Sequence, residues 1–236
     1  LIFMITLKQT ERHLLGAKRD IDSLAKKESA RILVLSDSHG QRELFRLIVE
    51  KAGPSCDALV FCGDGAGDFV SCMDDAANDE AFAELVPPVA AFVEGNGDAD
   101  RFPVRFNPAG KKSSDVFYEL IIPKRQILQA AGHVIYAVHG HEQGAYYGTD
   151  ALERECEAAG ADIALYGHTH IAAEIRRSVY IVNPGSISYP RSLTPPSFAV
   201  LELDGKNSNA VFYRIDAHLD GVRFTPFTPK KTSLWI

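Results

Sequence analysis

Along most of the chain the apolar residues fall into short unbroken runs, and polar, glycine-containing clusters close them. Arg31–Leu35, Ala58–Cys62, Val89–Val93, Val134–Val138, Ile163–Tyr166 and Val179–Val182 are such runs. Their length and continuity predict strands buried on both faces. Amphipathic stretches at about 41–52, 68–86 and 149–159 predict helices between them. Strands alternating with helices imply βαβ units and a largely parallel sheet in the first half. Further on, Ala172–Arg176 precedes Val179–Val182, and Phe198–Leu203 and Ala210–Ile215 flank an Asp204-Gly205 turn. That succession predicts an antiparallel or mixed sheet.

Outside these runs the pattern weakens. Leu7, Leu14, Ala17, Ile21 and Leu24 recur at spacings of three, four and seven among charged residues, which predicts a helix over 7–28. It either packs on its own domain or offers a face to a second copy. The segment 107–118, with Gly110, Lys111 and Lys112, predicts a surface loop. Phe224, Phe227 and Trp235, set among prolines and threonines, predict a tail lying over the domain or docking a partner. The expected organisation is a helical extension over 1–30, a domain over 31–216 and a packed tail over 217–236. A homo-oligomer would form through the helix or the tail.

Composition narrows the classes. In 236 residues, 46% hydrophobic and 24% charged, the chain matches an ordinary globular protein able to bury a sizeable core. Acids outnumber bases 31 to 25, a net charge of -6, which argues against broad nucleic-acid binding. Cys56, Cys62, Cys72 and Cys156 form no Cys-x-x-Cys pair, so reduced thiols and a cytoplasmic location are expected. Leu1–Leu7 is too short for a signal-peptide core, and no later run is long enough to cross a membrane.

The chemistry collects where the strands end. The first run closes in Ser36-Asp37-Ser38-His39, the second in Gly63-Asp64-Gly65 and the third in Gly95-Asn96-Gly97-Asp98. The later ones close in His139-Gly140-His141, Gly167-His168-Thr169-His170 and Asn183-Pro184-Gly185-Ser186. Each tip alone has an ordinary explanation, such as a helix cap at Asp64 or a left-handed turn at Asn96. Jointly they point to a ligand crevice at the carboxyl ends of the strands. Two carboxylates, one amide oxygen and four imidazoles exceed what one tetrahedral ion needs. They suit two divalent ions sharing a carboxylate, with Mn expected first and Fe, Ni, Co or Zn as its alternatives, all favoured over Mg or Ca. Such a cluster keeps a net positive charge, attracts phosphate and holds a hydroxide nucleophile at neutral pH.

The ordered set Asp-x-His, Gly-Asp, Gly-Asn-x-Asp, His-x-His, Gly-His-x-His and Asn-Pro-Gly-Ser, spread from about Arg31 to about Ile215, resembles the calcineurin-like metallophosphoesterases. Within them it is most similar to the small prokaryotic phosphodiesterases related to the retromer subunit of the same fold. The resemblance implies an α/β fold, a four-layer αββα sandwich of two mixed β-sheets flanked by helices. It implies that Asp37, His39 and His170 hold one metal, that Asp64 bridges, and that Asn96, His139 and His168 hold the other. It implies a metal-dependent phosphoesterase, a phosphodiesterase before a phosphomonoesterase, acting on a small phosphate ester through a metal-bridging hydroxide. The alternative is a metal-binding scaffold of the same fold with little activity. Two departures matter. Many relatives carry a His general acid after the Asn, where this chain has Gly97. That leaves His141 as the candidate proton donor and Asp98 as a candidate for orienting a ligand or loop. The Gly-Asp-Gly-Ala-Gly run also lacks the Asp-Arg-Gly ending of the protein phosphatase and dinucleoside tetraphosphatase branches.

Overall fold

The computed structural model describes residues 9–106, 116–218 and 221–229. In chain order it contains α1 (Lys18–Lys26), β1 (Ser29–Leu35), α2 (Arg42–Ala52), β2 (Ala58–Phe61), α3 (Ala66–Asn78), α4 (Glu80–Ala83) and β3 (Ala90–Phe92). There follow β4 (Arg101–Phe106), β5 (Val116–Ile121), β6 (Arg125–Ala130), β7 (His133–Val138), α5 (Asp150–Ala158) and β8 (Ile163–Leu165). The chain closes with β9 (Ala173–Arg176), β10 (Tyr180–Asn183), β11 (Ser197–Asp204), β12 (Asn207–His218) and β13 (Gly221–Phe227).

β4 and β5 pair by themselves, and of the two larger sheets one has the order β13-β12-β11-β1-β2-β3 and the other β6-β7-β8-β10-β9. Both are mixed. β1, β2 and β3 run parallel, as do β7, β8 and β10, and antiparallel strands complete each sheet. Three apolar layers follow from the period-two alternation of strands buried on both faces. Leu33 and Leu35 of β1 point to α2 and α3, where Phe45, Phe61, Phe69 and Phe92 pack. Ile32 and Val34 point instead between the sheets, where they join Ile135, Ala137, Ile163 and Leu165. Tyr136, Val138 and Ala164 face outward to Leu152 and Cys156 of α5. Three layers of side chains between two sheets and flanking helices make the four-layer sandwich.

The parallel strands place the site. β1, β2 and β3 end on one edge of the first sheet, and β7, β8 and β10 on one edge of the second. Backbone hydrogen bonds join the two edges' tips to their neighbours: Asp37 N–H to Gly63 O at 2.9 Å, His39 N–H to Asp64 O at 3.0 Å, and Gly167 N–H to His139 O at 3.0 Å.

Several expectations are corrected. The helix predicted over 7–28 is confined to Lys18–Lys26, and residues 7 and 8 lie outside the described residues. Leu15 is instead paired with Ala90 of β3, N–H to O at 2.9 Å in both directions. Gly16 then turns at φ +131°, where a Cβ would sit 2.7 Å from the Pro88 carbonyl, so a helix cannot pass through it. Ile21 and Leu24 of α1 pack into the layer between the sheets. The helix predicted over 68–86 breaks at Asp79, whose extended backbone lets its side chain cap α4 through the Phe82 N–H. Of the loop predicted over 107–118, 116–118 belong to β5, and the rest lies outside the described residues. The β4–β5 hairpin was not expected, nor was β6. Of the predicted tail, residues 221–227 form the edge strand β13, with Phe224 against Phe198 and Phe227 against Phe212, and Trp235 lies outside the described residues. Among the described residues no helix is long and apolar enough to cross a membrane.

Candidate metal centre

The tips are held in a conformation that side chains ordinarily avoid. Among the described residues nine non-glycines have positive φ, and five of them are Asp37 (54°), His39 (45°), Asp64 (56°), His168 (65°) and His170 (60°). A left-handed residue bearing a Cβ costs roughly 1–2 kcal/mol, so the surrounding contacts must over-determine each of these turns. Such turns aim successive side chains back over the strand ends.

Ligand-type atoms of Asp37, His39, Asp64 and His170 all lie within 4.8 Å of one another. His170 Nε2 stands 3.3 Å from Asp37 Oδ1 and 3.2 Å from His39 Nε2. Its other nitrogen, Nδ1, donates to the Tyr189 carbonyl at 2.6 Å, which leaves Nε2 with its lone pair facing the carboxylates. His139 repeats the arrangement: Nδ1 donates to the Cys62 carbonyl at 2.7 Å, and Nε2 points to Asp64 Oδ2 at 3.4 Å. That Nε2 is buried with no hydrogen-bond partner. A buried, oriented and unsatisfied imidazole nitrogen beside a carboxylate fits a metal ligand. Asp64 lies between the groups, its Oδ2 3.9 Å from His39 Nε2 and 3.4 Å from His139 Nε2.

Of the remaining predicted residues, His168 and His141 stand beside this centre and Asp98 lies behind the turn at Asp64. The His168 ring is 5.0 Å from that of His139, and the His168 backbone N–H donates to Asp37 Oδ2 at 3.1 Å. Asn96 is exposed at the crest of the turn that wraps Asp64: the Gly97 N–H donates to Asp64 Oδ1 at 2.8 Å. A Cβ at Gly95 would collide with the Asp64 side chain and amide, so the approach requires glycine. His141 stands at the rim, its ring 5.4 Å from His139 and 6.0 Å from His168, with Nδ1 buried and unpartnered. Asp98 faces backbone. Its Oδ2 accepts from the N–H groups of Asp64 and Gly95, and its Oδ1 from those of Gly65 and Ala66, at 2.8–2.9 Å.

Charge follows the same geometry. Burial disfavours the charged forms of His139 and His170, yet Asp64 and Asp37 beside them raise both above the usual imidazole value. Burial would likewise raise Asp64, but His139, the Gly97 N–H and His39 carry it well below the carboxylate range. His141 and His168 are lowered by burial and by the charge on His139.

The calcineurin-like phosphoesterase superfamily domain matches residues 31–206, about three-quarters of the chain. The chain belongs to that superfamily. Its members are metal-dependent, and the cluster of Asp37, His39, Asp64 and His170 is the feature of this chain that answers to it. Among curated members of the superfamily, the chain is 29% identical to the probable metallophosphoesterase YsnB of Bacillus subtilis, over 77% of this chain and 89% of that one. It is 32% identical to the phosphodiesterase YfcE of Escherichia coli over a shorter stretch, 37% of this chain and 44% of that one. A predicted phosphoesterase of Streptococcus pneumoniae has the same fold, with TM-score 0.57, 22% identity, and coverage of 85% of this chain and 99% of that one. So does Vacuolar Protein Sorting 29 of Cryptosporidium parvum, with TM-score 0.56, 19% identity, and coverage of 86% and 100%.

Some supporting residues of this superfamily site escaped the sequence reading. Asp68, buried in the first turn of α3, accepts from Ser38 Oγ at 2.6 Å and the Gly40 N–H at 2.9 Å, and so clamps the turn bearing His39. The tip after β10 offers fastenings: Ser186 and Ser188 hydroxyls donate to the Asp37 carbonyl, and Asn183 Nδ2 to the Gly167 carbonyl. The one available signal was the acid four residues beyond Asp64 at the start of a helix.

Proposed function

We propose that this chain is a dinuclear metal-dependent phosphoesterase that hydrolyses phosphodiesters in preference to phosphomonoesters. The observation that carries this is the position of Asp64 Oδ2 between His39 Nε2 and the unsatisfied Nε2 of His139. In this reading Asp37, His39 and His170 hold one ion, Asn96, His139 and His168 hold the other, and Asp64 is shared. Bound there, the ions supply Lewis acidity that activates water and neutralises phosphoryl charge. Oxygen and nitrogen donors without a thiolate favour Mn, with Fe, Ni, Co or Zn as substitutes. The four cysteines, all free and buried, fit a cytoplasmic setting.

The protein's own groups complete the reaction. Asp98 is a positioning residue, because its carboxylate is committed to four backbone N–H groups that shape the turns at Asp64 and Gly95. His141, at the rim and with an unpartnered Nδ1, hydrogen-bonds a phosphoryl or leaving oxygen. With Gly97 where many relatives have a His, no second imidazole reaches the leaving group from that side. Activated esters are then turned over well and unactivated monoesters poorly.

Metal analysis of the purified protein, paired with hydrolysis of an aryl phosphodiester and an alkyl phosphomonoester under added Mn, tests this. The expected result is two metal equivalents, turnover that favours the aryl diester, and loss of both in Asp64→Ala. Bound metal with no turnover of any phosphate ester would favour a scaffold instead.

A further inference from the structure

The metal centre opens on two sides. His39, whose side chain is 32% exposed, stands as a ridge between two depressions. One, of about 320 Å³, is lined by Gly40, Asp64, Gly65, Asp68, Asp98 and Phe102 among others, so three carboxylates and no Lys or Arg border it. The other, of about 660 Å³, is lined by His39, His170, Ser188, Tyr189, Pro190 and Arg191. Two depressions on either side of a phosphate-binding centre match the two substituents of a diester, and their chemistry differs.

The second depression is built around one aromatic ring and one cation. Tyr189 is 55% exposed and meets the His39 ring edge-on at 5.6 Å between centroids. Arg191 is exposed, and among the described residues no carboxylate pairs with its guanidinium. That guanidinium lies 5.5 Å over the ring of Tyr146, whose hydroxyl donates to the His168 carbonyl at 3.0 Å. Both residues are fastened to the centre through their backbones. The Tyr189 carbonyl takes His170 Nδ1 at 2.6 Å, and the Arg191 N–H donates to the His170 carbonyl at 3.1 Å. The chain then passes through two consecutive left-handed residues, Ser192 (56°) and Leu193 (59°). A strained turn that holds an exposed ring and an unpaired cation against a metal cluster has the character of a binding wall.

We propose that this depression is the subsite for the diester substituent that carries a planar aromatic ring and a further negative charge, with Tyr189 stacking on the ring and Arg191 pairing with the charge. The proposal rests on the phosphodiesterase reading and gives that substrate a direction. The acidic depression across His39 repels the anionic substituent and receives the neutral one. Nucleotide-like phosphodiesters with a second phosphate are the matching class.

Calorimetric titration of the Mn-loaded protein with inorganic phosphate, thymidine 5′-monophosphate and thymidine 3′,5′-bisphosphate tests this. Affinity should rise in that order. Arg191→Gln should weaken the bisphosphate about tenfold, the scale of one charge-assisted hydrogen bond, while inorganic phosphate stays within about twofold. Arg191→Lys should recover part of the loss, and Tyr189→Leu should weaken both nucleotides several-fold. Equal affinities for the three probes, or an Arg191→Gln loss as large for inorganic phosphate as for the bisphosphate, would overturn the subsite. If aryl diesters are hydrolysed but the affinities are flat, the subsite alone fails. If the loaded protein neither binds these probes nor hydrolyses any ester, the phosphoesterase reading fails with it.

Discussion

Asp98 grips Asp64 by the backbone: the Asp64 N–H donates to Asp98 Oδ2 at 2.8 Å, so a carboxylate outside the metal cluster sets the turn that aims a carboxylate within it. Asp98→Asn replaces one acceptor oxygen with an NH₂ that faces N–H groups. Metal affinity should fall roughly tenfold or more, as is usual when a group orienting a ligand is lost, and the melting temperature should drop. Titration of the metal-free protein with Mn measures it, and an unchanged affinity would remove the positioning role.

Asp68→Ala should loosen the neighbouring tip. It strips the acceptor from Ser38 Oγ and the Gly40 N–H, and a buried donor left unmet costs about 1–3 kcal/mol. Asp68→Asn keeps an acceptor and should lose less. Chemical denaturation of the metal-free variants compares the two, and equal losses would show that burial rather than the clamp is at stake.

Without metal, the His139–Asp64 pair gives a signed pH dependence. The folded value of His139 is raised, so its share of stability is present below about pH 6.5, the ordinary imidazole value, and fades as pH rises through the folded value. Asp64 is lowered, so its share is present above about pH 4 and fades as pH falls through its folded value. His141 and His168, both lowered, pull the other way, so the signal belongs to the pair: in chelator-treated protein the melting-temperature loss on His139→Gln should be larger near pH 5.5 than near pH 8. Metal competes with those protons, so loaded protein should show the reverse order and release protons on binding. Melting curves with and without chelator decide this, and the same trend in both would refute it.

Gly97→His should restore a proton donor at little structural cost. A Cβ there would lie 3.3 Å from Asp64 Oδ1, a matter of a few tenths of an ångström, and the Gly97 N–H to Asp64 bond is a backbone contact that any residue keeps. Turnover of an alkyl phosphomonoester should rise about tenfold or more, within the range of general acid catalysis, while the aryl diester changes little. An equal change in both substrates would show that the new side chain alters binding instead.

Much of the site was legible because its chemistry sits at strand ends. Continuous apolar runs mark strands buried on both faces, and Asp37, His39, Asp64, Asn96, His139, His168 and His170 all follow such runs directly. The elements missed were those whose burial is decided from outside. β13 has an alternating, half-exposed pattern with a proline, and only pairing with β12 makes it a strand. Residues 9–15 carry helical spacing, but the Leu15–Ala90 pairing outweighs it. Local propensity is a weak prior once a sheet edge offers hydrogen bonds.

By itself the sequence determined which residue types stand at the strand ends. Parallel strands bring their carboxyl ends to one edge, so the order of the tips along the chain already implies a crevice of carboxylates and imidazoles. Tertiary structure alone decided how they are aimed. The left-handed turns at Asp37, His39, Asp64, His168 and His170, the commitment of Asp98 and Asp68 to backbone N–H groups, and the Tyr189–Arg191 wall all depend on contacts between tips distant in sequence. Such turns are unfavourable one at a time, and only the packed neighbours of each tip hold them in place.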